Sequence, residues 1–234
     1  MTRQSIVDRA ARLDRPETEL IGRFALGERY VEFPVGRAEF ARDARWMRRV
    51  LEQYRLGSGA HLLNVSGGWE VPWTEPLLNA CRQLHVIYSN AELFSWDAKR
   101  AEMFVRRLSP DMVIGMDAEY LQSLANIVEP AERLGPVPHL LLRPDARDTA
   151  TEFGLRFRLY SPLGPATGIE CSFGTGLHVN ADEWALAEID GELRISTAGD
   201  RLARFTDQEL GLTGRLDDSP CPCGLGGPRV LLDL

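Results

Sequence analysis

The apolar positions of this chain change their spacing several times. In residues 38–54, "AEFARDARWMRRVLEQY", Phe40, Ala44, Met47, Leu51 and Tyr54 recur at steps of four, three, four and three. That is the spacing of one helical face, and the intervening arginines fall on a solvated side. The glycines of "LGSGA" end the helix. Ahead of it, "RYVEFPV" alternates as a strand does, and residues 1–28 read as a short helix, 5–12, and a turn-rich link.

Beyond residue 60 the pattern becomes strand, helix, strand. "HLLNV", "HVIY" and "DMVIGM" are short apolar runs. Between them, one helix is expected after Thr74 as its cap, with Leu77, Leu78, Cys81 and Leu84 on one face. Another, 95–108, follows Ser95 as cap, and a third covers 117–127. Such alternation argues a mostly parallel sheet with flanking helices. After Pro136 the texture turns β-rich: "VPHLLL", "LRFRLY", a hairpin about Asp190-Gly191 in "ALAEIDGELRIST", and a final strand "RVLLDL". The expected fold class is α/β, with a β-rich subdomain after the parallel sheet. The chain reads as one domain, 1–234, with subparts 1–135 and 136–234. The run "DARDTATE" reads as a solvated helix or loop, and "EPAERLGPVP" as a link between the subparts.

Composition narrows the function. The 234 residues carry a net charge of −7, which disfavours a nucleic-acid or membrane-surface partner, since either wants a basic field. No apolar run reaches membrane-spanning length, and the polar N-terminus is not a secretory signal. A cytoplasmic protein is expected. Lys99 is the only lysine, so any reaction that needs one has a single candidate.

In that compartment, close cysteines are metal ligands or redox groups more often than disulfides. "SPCPCGLGG" sets Cys221 and Cys223 one residue apart, and "ECSFGTGLHV" supplies Cys171 and His178. Three thiols and an imidazole form a four-coordinate zinc set, structural because no position stays open. Spacing alone leaves a second reading, unpaired buried thiols and a surface histidine. Cys81, on an apolar helix face, reads as core.

The order of these pieces resembles the large N-terminal domain of the phenylacetate–CoA ligase branch of adenylate-forming enzymes. "ECSFGTGLHVNADEWALAEI", "GELRIST", and "CPCG" followed by "PRV" look like that branch's motifs, from about residue 22 to the end. The resemblance implies zinc on Cys171, His178, Cys221 and Cys223. The departures imply lost chemistry. Where the family wraps ATP phosphates with a Ser/Thr/Gly loop and a lysine, this chain reads "GRFALGERYV", with only Arg23 or Arg29 to meet an anion. The family's Tyr-Gly-x-Thr-Glu survives as Tyr160 alone in "YSPLGPATG". Its ribose-binding aspartate falls on Glu209 in "RFTDQEL", with Arg204 and Phe205 matching the preceding positions. The small C-terminal domain and its lysine are expected to be lacking, so the chain reads as a truncated, degenerate homologue.

"SGGWEVPW", after a strand and before a helix, falls at the sheet edge where open α/β sheets bind ligands. Trp69 and Trp73 are pocket candidates with Glu70 as anchor or base; the alternative is a packing loop with both tryptophans in the core. His61, His85 and His139 sit beside predicted strands and read as structural. Of these, His61 or His85, near the Trp69 edge, would be the first choice as a base.

The expected site therefore comprises Glu70, Tyr160 and Glu209 as catalytic groups and Trp69, Trp73 and Arg204 as pocket. The expected cofactor is structural zinc, without ATP or magnesium. The expected function is binding or conversion of a small aromatic or acyl molecule in a biosynthetic pathway, with ATP-dependent ligation lost; whether the protein is an enzyme stays open. The alternatives are a pseudoenzyme scaffold acting as a homodimer or with a partner enzyme, and a ligase completed in trans.

Overall fold

A computed structural model describes residues 3–12, 18–174 and 176–233. After α1 (Arg3–Arg12), β1 (Thr18–Leu26) and β2 (Arg29–Gly36) form a two-stranded antiparallel hairpin. The expected turn-rich link is thus a strand from Thr18 onward; residues 13–17 lie outside the described residues. In β1, Gly22, Phe24 and Leu26 face inward and Arg23 and Ala25 outward. This alternation is hard to read when a glycine holds one inward position. Leu26 pairs with Arg29, so only Gly27 and Glu28 make the turn.

The main sheet has eleven strands, in the order β10-β11-β12-β13-β9-β8-β7-β6-β5-β3-β4. Its parallel part comprises β3 (His61–Ser66), β4 (Ile87–Glu92), β5 (Met112–Met116), β6 (His139–Leu142) and β7 (Arg158–Leu163). The remainder is antiparallel: β8 (Ala166–Glu170), β9 (Leu177–His178), β10 (Trp184–Ile189), β11 (Glu192–Thr197), β12 (Gln208–Asp217) and β13 (Arg229–Leu232). β7 belongs to both parts, so the hydrogen-bonded sheet runs unbroken through the expected α/β and β-rich regions. The β10–β11 turn falls at Asp190 and Gly191, both at positive φ (55° and 83°), as a tight hairpin turn requires.

Helices cover both faces of the parallel strands. α2 (Arg37–Gln53) and α3 (Val71–Leu84) pack with Leu62, Met112, Ile114 and Leu141. α4 (Ala98–Leu108), α5 (Ala118–Ala125), α6 (Pro130–Leu134) and α7 (Arg147–Glu152) lie over Leu63, Val65, Val113 and Leu142. Adjacent residues such as Leu62 and Leu63 are both fully buried, which is why these strands read as unbroken apolar runs. The face predicted for α2 is buried as expected. "DARDTATE" contains α7, whose Ala150 packs in the core. No helix among the described residues is long and apolar enough to cross a membrane.

Two helix starts differ from expectation. α3 begins at Val71, straight after a 3-10 turn, Gly68–Glu70, and Thr74 lies inside it, donating its hydroxyl to the Glu70 carbonyl. Pro72, suited to a first turn, sets the earlier start. Ser95 opens a 3-10 turn, Ser95–Asp97, and α4 follows it.

β5 carries a bulge. Met112 and Ile114 face α2 and α3, but Met116 packs on the opposite side. The register with β6 slips between Ile114 and Met116, and Gly115 sits there at φ 102°. The extra residue turns Met116 to the other face. A Cβ at Gly115 would stand 2.2 Å from the Val65 carbonyl oxygen, so only glycine fits. The bulge also leaves the Gly115 carbonyl to accept from Arg143 Nε, 3.2 Å away.

Candidate functional site: an aromatic groove and a cysteine–histidine cluster

The carboxyl ends of the parallel strands hold a groove of about 480 Å³, walled by Arg23, Tyr30, Trp69, Glu70, Trp73 and Pro162 among others. The 3-10 turn after β3 positions its polar floor. Glu70 is buried; one carboxylate oxygen accepts the Gly67 N–H (2.9 Å) and the other pairs with Arg143. Arg143 lies at the end of β6, and its guanidinium sits 4.8 Å over the Tyr160 ring. The Tyr160 hydroxyl is buried without a hydrogen-bond partner, and burial pushes its pKa up to about 12, against the pull of Arg143. Glu70, Arg143 and Tyr160 thus form one buried polar cluster behind the groove.

The two tryptophans differ. Trp73 is buried, donates its indole N–H to the Gly164 carbonyl (3.0 Å) and meets Phe33 edge-on. Trp69 is 52% exposed. Its ring meets Phe94 edge-on at 5.5 Å, and Phe94 stacks on Trp96 at 5.7 Å. On the hairpin, the Arg23 guanidinium lies 4.9 Å from the centre of Tyr30.

The other sequence-predicted residues stand apart. Glu209 pairs with Arg194 on β11 (3.2 Å), and its neighbour Leu210 lines the groove, so alternation along β12 turns Glu209 to the other face. Arg204 is exposed and bound to Asp200 (2.7 Å) and the Gly199 carbonyl. Among the described residues, no hydrogen bond or ion pair joins Tyr160, Arg204 and Glu209. His61 opens β3, at the end opposite Trp69, and bonds Ser89. His85 caps the carboxyl end of α3. Both therefore lie at the amino ends of the strands, roughly 16 Å from the Trp69 edge by strand rise, which corrects their expected placement. Lys99 is exposed on α4.

Arg143 and Tyr30 were missed by sequence reasoning, whereas Arg23 was named there as one of two residues able to meet an anion. The available signal for Arg143 was a charged residue directly after the apolar run "HLLL".

The second constellation is the quartet Cys171, His178, Cys221 and Cys223, whose ligand atoms all lie within 4.8 Å of one another. Cys171 directly follows β8, His178 lies in β9, and the other two sit in the loop between β12 and β13. β13 runs alongside β9, pairing Arg229 with His178, and this brings the two segments together. Cys171 Sγ is 3.7 Å from Cys221 Sγ, and His178 Nε2 is 3.4 Å from Cys223 Sγ. Ligand bonds of 2.0–2.3 Å in a tetrahedron place neighbouring donors about 3.5–3.8 Å apart, close to these two separations.

Burial, then Arg229, lowers the His178 pKa to about 4, so the ring is neutral and able to ligate; burial raises the Cys223 thiol to about 12. A cation is what would favour the thiolates there. The Leu225 N–H already points at Cys223 Sγ (3.3 Å). The group could hold a metal ion.

No family model matches the chain, and no curated protein matches it. Solved structures do. An open form of 2-hydroxyisobutyryl-CoA ligase in complex with 2-HIB-AMP and CoA superposes with a TM-score of 0.70 at 15% identity, over 96% of this chain and 56% of that one. The same ligase in a postadenylation state with R3-HIB-AMP gives 0.71 at 14% identity, over 98% and 56%. The chain thus spans little more than half the length of these structures, and what it shares with them is the fold.

Proposed function

We propose that this chain is a member of the adenylate-forming superfamily, of the phenylacetate–CoA ligase-like branch, that no longer carries out ATP-dependent ligation and holds a small aromatic or acyl acid in the Trp69–Tyr30 groove. The observation that carries the reading is the groove itself. It lies at the carboxyl ends of the parallel strands, where open sheets take ligands, and joins aromatic walls to a cationic rim at Arg23. In this reading the aromatic faces bind the apolar part, Arg23 meets the carboxylate, and the Glu70–Arg143 pair fixes the turn that presents Trp69. If the ligand is converted, Glu70 is the ionisable group at the reacting end and Tyr160 stands behind it; Glu209 and Arg204 are engaged elsewhere.

Loss of ligation is supported by the hairpin. Where the resemblance expects a loop wrapping polyphosphate, β1 and β2 join through two residues, Gly27 and Glu28. The latter brings a negative charge where a phosphate would need a cation. The Cys/His quartet is assigned structural zinc, four protein ligands leaving no position for substrate.

Tryptophan fluorescence titration with aromatic and aliphatic acids, with and without ATP and Mg²⁺, tests the reading. A saturable signal for an acid without nucleotide, lost in Trp69→Ala and Arg23→Gln, is expected. Acid-dependent pyrophosphate release would overturn the loss of ligation, and silence across the acids would overturn the groove assignment.

The scaffold reading has one observation in its favour. Phe94 (42% exposed) and Trp96 (68%) extend the Trp69 surface beyond the groove. Sedimentation of wild type against Phe94→Ser/Trp96→Ser separates it from the first reading, since self-association lost in the variant would favour docking.

A further inference from the structure

The opposite end of the sheet holds a larger hollow, about 610 Å³, within the range of small-molecule sites. It opens between the amino ends of β6 and β7. Val137, Leu140, Leu155 and Phe157 give it an apolar side, and Arg156 and Arg158 give it a cationic one.

Neither arginine forms an ion pair among the described residues. Arg158 donates only to carbonyl oxygens, those of Phe157 (3.2 Å) and Ser172 (3.4 Å). Arg156 is exposed and free at the rim. Two carboxylates that act on the Tyr54 and His139 wall are otherwise engaged: Glu170 accepts the Leu159 and Gly176 N–H groups, and Asp111 accepts the His61 N–H. Tyr54 and His139, ring centres 5.0 Å apart, close another wall. Burial lowers the His139 pKa, so that ring is neutral near pH 7 and can donate or accept.

Two unpaired guanidinia beside an apolar wall suit one ligand chemistry: an oxyanion attached to a small apolar body. We propose that this hollow binds a small organic oxyanion, a phosphate monoester or a carboxylate, with Arg156 and Arg158 on the anion and the apolar wall against the rest. The site is distinct from the Trp69 groove, lies at the other end of the strands, and does not depend on the function proposed for that groove. It also touches the cysteine–histidine cluster. Arg158 packs against Gly174, where a Cβ would stand 2.5 Å from its Nε, and holds the Ser172 carbonyl, one residue after Cys171. An anion drawing on Arg158 therefore acts on the loop that carries a metal ligand.

The test is a titration of the full chain with phenyl phosphate, benzoate, inorganic phosphate and, as the neutral control, benzyl alcohol, at fixed ionic strength. Calorimetry gives the affinity and backbone amide NMR gives the place. One of the two aromatic anions is expected to bind more tightly than benzyl alcohol and inorganic phosphate, shifting the Ser172 and Gly174 amides. Which of the two prevails identifies the anion. Arg156→Gln should weaken the binding read at the Ser172 and Gly174 amides about tenfold or more, the loss of one charge-assisted contact, and Trp69→Ala should leave those amide shifts unchanged. Arg158→Gln should do the same as Arg156→Gln; if its packing against Gly174 prevents folding, the exposed Arg156 decides alone. Absence of shifts at the Ser172 and Gly174 amides with both aromatic anions, equal shifts with benzyl alcohol, an unaffected Arg156→Gln, or loss of those shifts in Trp69→Ala would each overturn the proposal.

Discussion

Removing the metal from the cysteine–histidine cluster should cost this fold far more than a surface change would. β9 is only two residues long, yet it links β8 to β13. Cys171 precedes it and His178 lies in it, both fully buried, while Cys221 and Cys223 come from a proline- and glycine-rich loop. Other ties on that loop include a bond from Gln53 to the Cys223 carbonyl (3.2 Å), bonds from Arg229 to Ser219 and the buried Leu225 side chain. An ion joining Cys171 to Cys223 closes a loop of about 50 residues, and a cross-link of that span removes about 4 kcal/mol of unfolded-state entropy. This is below the 10–16 kcal/mol of structural zinc in small fingers, as it should be, because β8 and β13 already belong to a larger sheet. For a chain of this size, 4 kcal/mol corresponds to a Tm change on the order of 10 °C. The assay is elemental analysis of protein produced with zinc supplied, then thermal unfolding with and without a strong chelator. One zinc per chain and a fall in Tm of that size on chelation are expected. Cys223→Ser should match the chelated protein and be insensitive to chelator. Cys81→Ala is the control: Cys81 lies on the buried face of α3 with its thiol raised to about 12, so this variant should keep the metal. Coincident melts with and without chelator, or well under one ion per chain, would refute the reasoning.

Three further outcomes follow from the same structure. Arg143→Met strands the buried Glu70 carboxylate and should cost about 3–5 kcal/mol in urea unfolding; Glu70→Gln/Arg143→Met should recover part of this, and strict additivity would refute the pairing. Gly115→Ala must move the Val65 carbonyl or abolish the bulge, at a cost on the order of 3 kcal/mol; a denaturation midpoint equal to wild type would show that the bulge is not required. Burial holds the imidazoles of His61 and His139 below the usual pKa of 6.5. The unfolded chain therefore takes up protons on them first, and this contribution to stability is complete above about pH 6.5 and declines as pH falls through that value. Urea midpoints at pH 7.5 and 5.5 should differ in that direction, less so in His139→Phe; an unchanged slope in that variant would exclude its share.

Much of the architecture was legible because it is local. The four-three steps from Phe40 to Tyr54 put one face of α2 in the core regardless of what lay opposite. The runs around Leu62 and Ile114 had to be covered on both faces, since adjacent residues in a strand point opposite ways. Asp190-Gly191 admits the positive φ that its turn needs. The residue types for a metal were also present in order along the chain. Their meeting was decided by tertiary structure: β13 returns from the end of the chain to lie beside β9, and only that long-range pairing carries Cys221 and Cys223 to His178. The same holds for Arg143 beneath Glu70, more than seventy residues away in sequence, and for the bulge that turns Met116 to the opposite face. His61 was misplaced because a strand's length, invisible as a direction in sequence, separates its two ends. Periodicity reports which face a residue takes, while partner, end and register come from pairings between distant segments, whose energy no single segment contains.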